Sequence, residues 1–91
     1  MTLEKLVSKY IASAEHVLGE IEVAENSTDL YADCVRQVLE AAKAYLQDAK
    51  YYREKKRFDV SLASVAYCEG LLDALKMLRA VKFEWPTRKE K

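Results

Sequence analysis

Two carboxylates and a set of tyrosines are the residues of this chain with the reach to do chemistry. Asp48 and Asp73 fall within apolar, helix-spaced runs, where a carboxylate could serve as acid, base or metal ligand. Tyr45, Tyr51, Tyr52 and Tyr67 could stack a base or another flat ligand. His16 is the single histidine and could be a zinc ligand or a general base. Each has a structural counter-reading. Tyrosines at helical spacing line cores and rims. Two carboxylates without a histidine, a metal cysteine or a glycine loop beside them are better read as structural hydrogen-bond partners. His16 lies at the edge of an apolar stripe with no cysteine at helical spacing, which reads as a solvent-facing or half-buried residue. Cys34 and Cys68 lack a metal-type spacing and read as two buried free thiols acting as small hydrophobes. No phosphate-binding glycine loop, dinucleotide fingerprint or Ser-His-Asp set is present. The expectation is a non-enzymatic chain with no cofactor and no metal.

The elements that must position these residues are helices. The 91 residues include only two glycines and one proline, while 51% are hydrophobic and 33% charged. That suits one small soluble domain built with few turns. Apolar residues from Leu3 to Ala24 step by threes and fours, with Thr2 as N-cap and Glu4 in the first turn. Asn26-Ser27-Thr28-Asp29 reads as a turn, with Ser27 or Thr28 capping a second helix over 28–55. Asp59 reads as the cap of a third helix over 60–81, with Phe58 packing on Ala63 just inside it. The third helix is the most apolar and is expected to be the most buried. The fold expected is all-α, a three-helix antiparallel up-and-down bundle over 1–82, followed by a mobile charged tail over 83–91.

A turn centred near Arg57 sets a register between helices two and three. It places Tyr45 opposite Gly70, Asp48 opposite Tyr67 and Tyr52 opposite Ala63. Gly70 then lies under a ring, and Tyr67 donates its hydroxyl to Asp48. Asp48 and Asp73 come out about 9 Å apart along the axis, and Cys34 lies about 20 Å from Cys68, too far to bridge. Asp48, Tyr67, Asp73 and Tyr45 form the candidate seam, functional or structural.

The run Y-L-Q-D-A-K-Y-Y, a charged turn, then D-V-S-L-A-S-V-A-Y-C-E-G-L-L-D-A resembles a small archaeal family of domains of unknown function, number 357. Its pattern is carried here by Tyr45, Leu46, Asp48, Ala49 and Tyr52, then Asp59, Ala63, Tyr67, Cys68, Gly70, Leu72, Asp73 and Ala74. Two departures stand out. The family's turn often has Lys-Gly-Asp where this chain has Arg57-Phe58-Asp59, and it often ends in Leu-Gly where this chain has Leu78-Arg79. The resemblance implies a three-helix bundle in an archaeal cytoplasm and no assigned activity.

Net charge is zero but uneven: residues 1–29 carry −4 and residues 55–91 carry +4. The plainer reading sets an acidic first helix beside a basic last one. The sharper one is a basic patch of Lys55, Lys56, Arg57, Lys76 and Arg79 that, with the tail, binds nucleic acid weakly. The stretch from Ser61 to Leu78 is broken by Glu69, Asp73 and Lys76, so no membrane span is expected, and no basic-then-apolar leader opens the chain. A cytoplasmic location follows. The preferred function is a helical module that binds a protein partner or its own copy. Weak nucleic-acid binding is the alternative, and a small-molecule-binding bundle ranks third.

Overall fold

The computed structural model describes residues 1–24 and 29–86. Three helices dominate: α1 over Leu3–Glu20, α2 over Asp29–Glu54 and α3 over Phe58–Met77. Between them lies a feature the periodicity did not announce. A short strand β1, Glu22–Val23, pairs antiparallel with β2, Val81–Lys82. The Ala24 amide extends the ribbon by donating to the Ala80 carbonyl at 2.9 Å. The ribbon ties the chain leaving α1 to the chain leaving α3, and both helices end early as a result. α1 stops at Glu20 rather than Ala24, and α3 at Met77 rather than Val81.

The all-α class and the up-down-up order hold. α1 begins as expected, with Thr2 Oγ1 accepting from the Lys5 amide at 3.1 Å. The expected caps of α2, Ser27 and Thr28, lie outside the described residues. The cap of α3 is different. Its N-cap position is Arg57, which makes no side-chain cap bond. Asp59 sits inside the first turn and accepts from the Val60 amide at 2.8 Å. The helix starts early because Phe58 is drawn in to pack against the core.

Both α2 and α3 end in the same device. Lys56 and Arg79 each adopt φ 62°, the left-handed conformation. Around the first, the Arg57 amide reaches the Tyr52 carbonyl and the Lys56 amide reaches Arg53; around the second, Ala80 reaches Leu75 and Arg79 reaches Lys76. These are Schellman closures, which favour glycine at the left-handed residue. A Cβ there costs about 1 kcal/mol. Arg79→Gly is therefore expected to raise stability by about 1 kcal/mol, despite glycine's greater freedom when unfolded. The midpoint of urea unfolding checks it, and a lowered midpoint would refute the strain argument.

The core is one cluster drawn from the three helices, β2 and the chain that follows it. It includes Val7, Ile11, Ala14 and Val17 of α1, Leu39, Ala42 and Leu46 of α2, and Val65, Cys68, Leu72 and Leu75 of α3. Ala80, Val81 and Trp85 close its far end. Packing therefore does not stop at the boundary expected at residue 82. Trp85 is only 5% exposed, and its indole N–H donates to Asp73 at 2.7 Å. Phe83 meets it edge to face, 5.2 Å between centroids. A large ring with a donor finds more by docking than by trailing in water. The chain through Pro86 is thus a strap on the bundle. Residues 87–91 of the expected tail lie outside the described residues.

Candidate functional site

Closing the α2–α3 turn over Lys55–Arg57 moves its centre toward Lys56, and the register slips by about one turn from the one expected. Tyr67 stacks on Tyr45, with centroids 5.1 Å apart and planes at 19°. Ser61, fully buried, donates its hydroxyl to the Ala49 carbonyl at 2.6 Å. These contacts hold the helices close where both present small residues. Gly70 does not lie under Tyr45. It is exposed, and a Cβ built on it meets nothing within 4 Å.

The slip dissolves the candidate seam as a set. Asp48 is exposed and forms no hydrogen bond with Tyr67, whose side is open to solvent. Asp73 is half-buried and faces the strap as acceptor for Trp85. The two carboxylates are therefore not an acid/base pair. Tyr45 and Tyr67 are the members the structure brings together. The Tyr52 ring meets Tyr51 edge to face at 5.1 Å instead of covering Ala63.

The basic patch divides in the same way. Lys55, Lys56 and Arg57 sit at the hairpin turn, whereas Lys76 and Arg79 sit at the other end of α3, about 30 Å away at 1.5 Å per residue. Arg57 pairs with Asp59 at 3.9 Å and Lys76 with Glu84 at 3.7 Å. The acidic α1 finds its cations on α2, through the Lys50–Glu15 ion pair and a 3.4 Å bond from Arg53 to Ser8.

Both cysteines are free, but only Cys68 is buried; Cys34 is exposed. Burial, with Glu69 adding to it, pushes the Cys68 thiol up to about 11. That makes it a packed hydrophobe rather than a nucleophile. His16 is exposed and approaches Glu20, one turn on, at 3.3 Å. It lines a polar cleft with Glu22, Lys82 and Glu84 over the Trp85 ring. Among the described residues no group of three or more His, Cys, Asp or Glu is placed to hold a metal ion.

What sequence reasoning missed is a face. The molecule measures 43 × 27 × 17 Å. The short dimension fits two helix layers, the α2–α3 hairpin and α1 with the ribbon and strap against it. On the far side of the hairpin a second apolar stripe stays exposed or half-exposed among the described residues. On α2 it runs through Tyr31, Cys34, Val38, Ala41 and Tyr45, and on α3 through Tyr67, Leu71, Ala74 and Leu78. A groove of about 460 Å³ lies beside it, lined by Ala63, Ala66, Tyr67, Gly70 and Leu71. The signal was present in the sequence: the apolar residues of α3 spread well beyond one stripe, and a helix of that kind expects more than one neighbour.

A family model described as a protein of unknown function (DUF357) matches residues 9–81. No curated protein and no solved structure matches the chain.

Proposed function

The chain belongs to that family, whose description assigns no activity, and we propose from its geometry that it is a non-catalytic helical module that docks a protein partner. The carrying observation is the uncovered hairpin face, where Tyr67 is 63% and Leu78 67% exposed on the same stripe. Apolar side chains aligned at threes and fours on two adjacent helices form the kind of groove that accepts a third helix. Exposed apolar patches of this extent on small proteins mark interaction sites. The nucleic-acid reading has less behind it, because its cations divide between the two ends of the hairpin. No described helix is long and apolar enough to cross a membrane. Within this proposal the module works in a cytoplasm, that of an archaeon by the family resemblance; an exposed free thiol at Cys34 suits a reducing compartment.

A photocrosslinking residue placed at Ala74, on the open face, and at Ala12, on the exposed side of α1, tests the docking. In native cells the first position is expected to give a discrete protein adduct and the second none. Equal labelling from both positions, no adduct from either, or adducts to nucleic acid alone would overturn the proposal.

A further inference from the structure

Resting on that docking reading, we infer that the partner of the open hairpin face is a second copy of this chain, joined by a two-fold axis into a four-helix layer of two hairpins. Three observations favour a copy over a foreign helix.

The first is area. Tyr31, Tyr45, Tyr67 and Leu78 are 40%, 36%, 63% and 67% exposed. At about 200 Å² per large side chain they offer roughly 400 Å² per copy. Closing them against their own image removes on the order of 800 Å², the size of a weak, reversible association. A single docked helix would cover one groove and leave part of that surface wet.

The second is shape. A two-fold interface needs a patch that complements itself. The patch has a projecting ring, Tyr67, beside a groove floored by Ala63, Ala66 and Gly70. The glycine's open side lets a neighbouring chain approach closely.

The third is charge. Asp48 lies on the edge of the stripe toward the turn end, and Arg79 lies at the opposite end. Both are exposed, and neither makes an ion pair among the described residues. In the observed register Asp48 is level with Ser64, seven residues from Leu71 on α3. Arg79 lies eight residues from Leu71 on the other side. An axis at the Leu71 level between α2 and α3, tilted so that the two hairpins cross, sets each Asp48 over the other copy's Arg79, about 11 Å along the helices from the axis, and forms both pairs at once. Leu71 is also near the middle of the apolar stripe, so charge and shape select the same axis.

Sedimentation equilibrium of the purified chain, from micromolar to millimolar, tests the inference. The expected result is a reversible dimer. Ala74→Arg, a surface change, should leave the circular dichroism intact and the chain monomeric, while Ala12→Arg stays dimeric. Asp48→Arg and Arg79→Asp should each weaken dimerisation about tenfold or more by setting like charges face to face, and the double variant should recover most of the loss. A chain that is monomeric throughout the range overturns the second copy as partner. So does a dimer indifferent to Ala74→Arg, or one whose double charge variant is no better than the singles. A monomer that still gives a foreign protein adduct from position 74 refutes self-association and leaves the docking face standing.

Discussion

Trp85→Ala is expected to cost about 3 kcal/mol of unfolding free energy. The ring is 5% exposed at the far end of the core, so its removal opens a large cavity beside Val81 and Ala80. It also leaves Asp73 without the indole N–H that it accepts at 2.7 Å. Trp85→Phe keeps most of the bulk and loses only the donor, so it should cost nearer 1 kcal/mol. Urea unfolding followed by circular dichroism measures both variants. Trp85 is the single tryptophan, so wild-type fluorescence reports on it directly: native emission should lie to the blue and shift red within the same transition. A Trp85→Ala midpoint equal to wild type would mean that the strap is not part of the cooperative unit.

The second large effect separates the two sides of α3. Leu72 is fully buried between the helices, and Leu78 is 67% exposed on the open face. Leu72→Ala should cost about 2–5 kcal/mol through lost burial and a residual cavity. At dilute chain, Leu78→Ala should stay within about 0.5 kcal/mol of wild type. The contrast matters because both leucines belong to the same apolar helix, and composition alone makes them equivalent. Comparable losses at the two positions would mean that the side described as open is covered in the folded chain.

Much of the fold was legible because helices answer to local rules. Periodicity at threes and fours placed three helices, and Thr2 announced the start of the first. The family pattern also pointed to Arg79 as the residue standing where a glycine often stands. Its φ of 62° gives the physical reason, since the Schellman closure there puts a residue in the left-handed region. Where a short loop closes is a finer matter. Whether Phe58 or Asp59 opens α3 depends on whether the ring gains more by burial than the carboxylate gains by capping. That balance is settled by the core, not by neighbours in sequence. The turn closing around Lys56 shifted the register by about a turn, exposed Gly70, separated Asp48 from Tyr67 and stacked Tyr67 on Tyr45.

The sequence by itself determined the class, the number and order of the helices, and the family. It could do so because these rest on hydrophobic period and intrinsic propensity, which act over a few residues. Tertiary structure alone decided the rest. It ended α1 and α3 early to pair Glu22–Val23 with Val81–Lys82. It folded Trp85 back onto Asp73, and it placed the five candidate cations at opposite ends of the hairpin. It also chose which of two apolar stripes on α2 and α3 would meet α1 and which would stay open. Both stripes satisfy the same period, and only the packing of a distant segment against one of them breaks the tie.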